Sequence, residues 1–193
     1  EDVAITAMTG KSAEGHKRHL SEMAIQAATR AKHPTDVNIV VRPGAPVEDS
    51  YFTNGVIVNK QRMIHSMPSM VKNPSIALFE SDVAVTAMVQ NVTVAFTDGD
   101  SADAYTMKKK SQLEDMANHI ASTGANIVLC LKDIDSTVAE LLSKKGIYAA
   151  RRVAASDLES IAENTGAMIV NNVEDLETED LGTCGYMEER KYD

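Results

Sequence analysis

The sequence predicts a mixed α/β protein, and three features of its patterning carry that expectation. Beyond Gly124 the chain alternates strand and helix, with Gly124, Gly146 and Gly166 placed where each helix would close. From Gly55 to Phe96 short β-prone runs follow one another with turn residues between them. Ahead of these, residues 11–33 carry a helical period and lead toward "RPGAP" at 42–46, a two-proline linker and the best candidate for a domain boundary.

Each element has its own reason. In 11–33, Leu20, Met23, Ala24, Ala27 and Ala31 share one face, Ser12 is the expected N-cap, and Pro34 disfavours helical geometry at His33. "DVNIVV" (36–41) reads as a short strand, and so do "GVIVNK" (55–60), "SIALFE" (75–80), "DVAVTAMV" (82–89) and "NVTVAF" (91–96). "TDGDSADAY" then breaks the sheet and leads into a helix ending at "STG". Its second half has an apolar stripe of Leu113, Met116, Ala117 and Ile120, whereas Tyr105 to Lys110 has almost none, so the outer half is expected to project. The remainder reads as strand "NIVLCL", helix Ile134–Lys145, strand "IYAARRV", helix Ser156–Asn164 and strand "AMIV".

Composition narrows the function classes. A chain of 193 residues fits one large domain or two small ones, and 44% apolar with 24% charged residues is ordinary for a soluble globular protein. No apolar run approaches the roughly 18 residues of a membrane span, and no signal peptide opens the chain, so a cytoplasmic protein without membrane attachment is expected. The first residue, Glu1, fits a processed or excised segment as well as a natural start. A net charge of −9 argues against nucleic-acid binding, and part of it is concentrated in "EDLETED" (174–180), read as a solvated turn. Cys130 lies inside "ANIVLCL" and is expected to be a buried free thiol in a reducing compartment, as one of only two cysteines with Cys184. The sequon Asn91-Val92-Thr93 has no secretory signal to give it meaning.

Several short motifs invite chemistry and are weak on inspection. In "TAMTGKSAEG" the Gly10-Lys11-Ser12 triplet resembles the back half of a phosphate loop, but the first glycine would fall at Ile5, which cannot take that corner. A helix-opening turn is the plainer explanation. His16 and His19 sit near metal-ligand spacing without an obvious cysteine or carboxylate to complete a set, so no metal is expected. Met63, Met67 and Met70 in "MIHSMPSM" read as core filling in a connecting segment. No Ser–His–Asp or Cys–His arrangement stands out, with His65 and His119 read as surface or helix-face residues, and no catalytic residue is expected.

Longer stretches carry a family resemblance. "GANIVLCLKDIDSTVAELLSKKGIYAARRVAASDLESIAENTGAMIV" followed by "EDLETEDLG" resembles the apical domain of a group II chaperonin, the thermosome and its eukaryotic relatives. The family pattern there is a buried strand, "K-G-I-D", a helix ending "K-x-G-I", "R-R-V", a helix and "T-G-A-x-I-V". Upstream, "GAPVEDSYFTNGVIVNKQRMIHSMPSMVKNPSIAL" resembles the entry into that domain, and "AMTGKSAEG" the loop and first helix of the intermediate domain. The resemblance implies an apical-domain-like β-sandwich flanked by helices, with a projecting helical lid and a small helix–strand intermediate arm. It divides the chain into an intermediate arm at 1–44, an apical substrate-binding domain at 45–184 with a lid near 97–116, and a return strand at 185–193.

Functional residues follow only as that resemblance implies them. The helix Ile134–Lys145 would capture non-native client proteins; with Ile134, Val138, Leu141 and Leu142 buried, its open face would be Ser136, Ala139, Glu140, Ser143 and Lys144. The lid would present Tyr105, Met107 and Lys108, a more polar tip than the family usually carries. Thr9, Gly10 and Lys11 would sense a nucleotide held by an equatorial domain, whose glycine-rich "G-D-G-T-T" loop residues 1–193 do not contain. The implied function is the substrate-recognition and lid portion of an ATP-driven folding machine that forms a double ring with other subunits; ATP and magnesium belong to the longer protein and no enzyme activity to this chain. Two alternatives stay open: a stand-alone α/β protein binding a small molecule or phosphate through "TGKS", and a truncated chaperonin-like scaffold.

Overall fold

The computed structural model of the chain describes residues 1–31, 33, 36–85 and 99–191. They fall into two compact units, one of residues 1–57 with 191–193 and the other of Val58–Arg190. The mixed α/β class holds in this architecture.

The first unit opens with a helix absent from the expected set, α1 (Asp2–Met8), which packs on α2 (Lys17–Arg30). The expected helix at 11–33 therefore starts late. Residues 11–13 form turns and Glu14–His16 a single 3-10 turn, so Ser12 is not the N-cap, a position His16 takes. Gly15 within that stretch lowers helix propensity enough for the tighter turn to win. The chain after α2 is irregular, and the expected strand at 36–41 does not form: Ile39 and Val41 are about four-fifths exposed, at 80% and 82%. Their β-branched character is only a propensity, and without a paired neighbour or a buried face it fixes no strand. Residues 46–52 instead return to α2, where His19 Nε2 lies 2.8 Å from the Ser50 carbonyl, His16 Nδ1 lies 2.6 Å from Glu48, and the Arg30 guanidinium sits 5.3 Å over the Phe52 ring.

The second unit is organised by a five-stranded sheet. Its strands are β2 (Ser75–Phe79), β3 (Ile127–Cys130), β4 (Tyr148–Ala150), β5 (Ile169–Val170) and β6 (Gly182–Thr183). The path β4-β3-β2-β5 is parallel throughout, with Ile76–Phe79 paired one-to-one against Ile127–Cys130, and β6 runs antiparallel along the start of β2. Parallel strands need helical crossovers on both faces, which is why β2, β3 and β4 are apolar without alternation and almost entirely buried. On one face Ala77, Phe79, Val128, Cys130 and Ala149 meet Leu113, Ala117 and Ile120 of α3 (Gly99–Ser122) and Val138 and Leu142 of α4 (Ser136–Lys144). On the other, α5 (Ala155–Thr165) covers β2, β5 and β6. A separate antiparallel ribbon pairs β1 (Met70–Lys72) with β7 (Tyr186–Glu188).

Several expectations meet this frame directly. "GVIVNK" at 55–60 is irregular chain and not a strand. The strands expected at 82–89 and 91–96, together with the sequon, lie largely or wholly at 86–98, outside the described residues. Met67 is buried, and its Sδ accepts the Ala149 N–H at 3.3 Å; Met63 is partly buried, whereas Met70 is half exposed at 50% on the edge strand β1. Cys130 is a buried free thiol. The run 174–180 is two successive 3-10 turns, pinned by buried Val173 and Leu176 between exposed carboxylates.

Two predictions follow from this packing. A Cβ added at Gly182 would overlap Thr165 Oγ1 and come within 2.6 Å of the Ala167 Cβ, at the join between α5 and β6. Gly182→Ala should lower stability by about 1–3 kcal/mol in urea unfolding, and a change under about 0.5 kcal/mol would show that the join yields. At the far end of β3, Asp133 accepts from Arg151 Nη1 at 2.7 Å and Arg152 Nη2 at 2.8 Å, and these two arginines hold its carboxyl down to about 2. A carboxylate so depressed stabilises the fold in full above its unfolded value of about 4 and loses that contribution as pH falls through the folded value. The urea midpoint of Asp133→Asn should therefore lie below that of the natural chain at pH 6, with the gap closing toward pH 2; a gap that is constant with pH would contradict this role.

Candidate functional site

The site with most surface to offer is the outer face of α4. Asp135 caps the helix, its carboxylate accepting the Thr137 N–H at 2.8 Å, and the Asp135 N–H donates to the Val83 carbonyl at 2.9 Å. One residue earlier Asp133 is gripped by the two arginines, and its own N–H donates to Asp82 at 3.0 Å. The start of α4 is thus fixed to the carboxyl end of the central sheet. Its inner side packs on α3 and β4, with Ile134, Val138, Ala139 and Leu142 at 1% exposure or less.

What remains outward is a line of Ser136, Glu140 and Lys144, all exposed and spaced four residues apart on one helical ridge. Ser143 is only partly open, because its hydroxyl is 2.8 Å from the hydroxyl of Ser66. Ala139 does not belong to this surface, which corrects the expected open face. A nine-residue helix wedged between a second helix and a strand buries a broad arc, and the arc takes in Ala139 as well as Val138. Leu141, expected in the buried stripe, is half-buried at its margin. The chemistry available on the ridge is a hydroxyl, a carboxylate and an ammonium held in fixed order.

The outer half of α3 is exposed from Tyr105 through Gln112, so Tyr105, Met107 and Lys108 all face solvent, Met107 at 72%. The burial of Leu113, Ala117 and Ile120 follows the expected stripe and stops where the stripe stops.

Thr9, Gly10 and Lys11 lie together in the turn between α1 and the Glu14–His16 turn, all exposed. Gly10 takes φ +74°, a conformation that favours glycine. Its N–H donates to Glu14 Oε2 at 3.0 Å, the Lys11 N–H to the Met8 carbonyl at 3.2 Å, and the Thr9 hydroxyl to the Ile5 carbonyl at 2.9 Å. The donors that would wrap a phosphate are engaged inside the turn, one of them by a carboxylate, so these residues do not fit a phosphate cradle of their own.

Sequence reasoning missed the Asp133–Arg151–Arg152 clamp and Ser66. Arg152 has a left-handed backbone, φ +55°, which no local pattern announces. The "DST" start of α4, by contrast, did carry a readable cap. Burial pushes the Cys130 thiol up to about 11 and the Tyr148 hydroxyl up to about 12, so both stay protonated at neutral pH. Among the described residues no three His, Cys, Asp or Glu side chains gather as a metal site, and no helix is long and apolar enough to cross a membrane.

Comparison with known proteins places this geometry. Residues 1–193 match the TCP-1/cpn60 chaperonin family. The chain is 38% identical over 194 residues to the thermosome subunit beta of Methanothermobacter thermautotrophicus and 37% identical over 196 residues to the thermosome subunit of Methanocaldococcus jannaschii. In each case 98% of this chain is covered and 36% of the relative, so it spans about a third of their length. A solved open-state monomer of a group II chaperonin from Methanococcoides burtonii superposes with TM-score 0.73 at 30% identity, over 98% of this chain and 43% of that one. Sharing sequence along its whole length with the thermosomes and its fold with a group II chaperonin, the chain belongs to the TCP-1/cpn60 chaperonin family.

Proposed function

We propose that this chain is the client-holding and lid portion of a group II chaperonin, a binding module that takes non-native proteins on the outer ridge of α4. The carrying observation is that ridge: Ser136, Glu140 and Lys144 exposed in line on a helix whose other side is locked into the core. Such a surface recognises polypeptide by hydrogen bonds and charge. Exposed polar pairs are worth about 0.2–1 kcal/mol each, so capture is weak and adaptable, which suits clients of many sequences. The Val58–Arg190 unit serves as the apical module and residues 1–57 as the intermediate arm. In this reading the exposed half of α3 is the lid, working by position more than by apolar stickiness, and Lys11 reports on a nucleotide held by another domain of the longer protein. ATP with magnesium would act there, and other subunits would complete a ring.

Two measurements test this. The 193-residue chain should suppress aggregation of a chemically unfolded client without ATP. Ser136→Ala, Glu140→Ala and Lys144→Ala combined should raise the amount of chain needed by about three- to tenfold, while circular dichroism stays unchanged. Unaltered suppression by this variant would move the holding surface elsewhere. Isothermal titration of the chain with ATP and magnesium should give neither turnover nor saturable binding; clear binding or hydrolysis would favour a phosphate-handling protein that uses the Thr9–Lys11 turn.

A further inference from the structure

Lys108, Lys109 and Lys110 form the densest cationic run in a chain of net charge −9, and all three are exposed. Their place on α3 is informative. Lys109 and Lys110 stand four and three residues before Leu113, on the stripe that buries Leu113, Ala117 and Ile120 one turn further in. The face that meets apolar core along the inner half of α3 thus turns cationic where the body ends. Lys110 has only a long contact with Glu114, at 4.0 Å, and keeps 71% of its side chain exposed.

The same unit carries the opposite surface. Glu174, Glu177 and Glu179 are exposed on the two 3-10 turns, which buried Val173 and Leu176 anchor and which a capping box between Glu177 and Asp180 holds rigid. Asn172 Nδ2 donates to Asp175 at 2.7 Å, and His119 Nε2 of α3 lies 3.1 Å from the Leu176 carbonyl. That last contact fixes the acidic turns at the base of α3. Lys109 is ten residues away from His119, about 15 Å along the helix axis at 1.5 Å per residue, beyond the reach of a lysine side chain. The two surfaces of one copy cannot pair with each other.

We infer that the lysine-bearing outer half of α3 docks on the Glu174–Asp180 turns of a second copy of this chain, an electrostatic latch between neighbours. Cationic and anionic patches kept apart on one rigid body pair head-to-tail between bodies, while the remaining negative charge repels every other approach. The contact goes beyond the client-holding role of α4 and uses none of its residues.

Sedimentation equilibrium of the 193-residue chain tests it, at about 20 mM and about 500 mM salt, conditions that respectively leave exposed charges coupled and screen them. Reversible self-association is expected at low salt and its loss at high salt. Lys108→Glu, Lys109→Glu and Lys110→Glu combined should weaken it at least about tenfold, and so should Glu174→Lys with Glu179→Lys; glutamate and lysine have similar helix propensity, so α3 is preserved. Mixing the two variants should restore association, because each supplies the charge the other lacks. Lys109→Gln alone should weaken association to a lesser degree, which keeps the test valid if a multiple variant misfolds. A monomer at low salt, association indifferent to these substitutions, or mixed variants that stay apart would each overturn the latch. So would a lysine run whose only saturable ligand is an acidic peptide such as poly-glutamate.

Discussion

Everything in the larger unit hangs on the parallel pairing of β2 with β3. Four consecutive residue pairs, Ile76–Ile127 to Phe79–Cys130, lie side by side with almost no exposed surface. A one-residue slip would carry Ala77, Phe79, Val128 and Cys130 from the α3–α4 face to the α5 face, so the register is held by every side chain at once. Both crossovers that reach β3 and leave it end in the elements that matter for function. The connection into β3 is α3, with its exposed outer half, and the connection out is α4, with its polar ridge.

A dry, two-faced sheet makes the surface elements rigid at their roots and free at their outer sides. α4 cannot rotate without exposing Val138 and Leu142, and the cap at Asp135 and the arginine clamp on Asp133 fix its first turn. Ser136, Glu140 and Lys144 therefore stand in a constant order toward solvent. A polar ridge of this kind grips through many small exchangeable contacts, whereas an apolar groove would bind fewer partners more tightly. α3 follows the same logic, buried while its stripe lasts and exposed beyond Leu113.

Most of this larger unit was legible in the sequence. Apolar runs of strand length, helices of nine to eleven residues with readable starts, and glycines at Gly124, Gly146 and Gly166 with left-handed backbones leave few other arrangements. The smaller unit was less legible because its signals are propensities without burial. Val37, Ile39, Val40 and Val41 favour strand but have no partner strand among the described residues, and the helix after Gly10 begins at Lys17 because a tight turn intervenes. On α4 the exposure of Ser136, Glu140 and Lys144 could be read from period alone. The burial of Ala139 depends on how α3 and β4 close around the helix, which is tertiary information. Arg152 reaches Asp133 through a left-handed backbone that local sequence does not foretell.

The most direct test of the central claim, client capture on the polar ridge of α4, is a map of backbone amide shifts during titration with a permanently unfolded client. The account predicts that the amides of Ser136, Glu140 and Lys144 move first and together, and that the changes diminish with added salt. Shifts confined to the exposed apolar segment around Ile39 and Val41, with α4 silent, would contradict it.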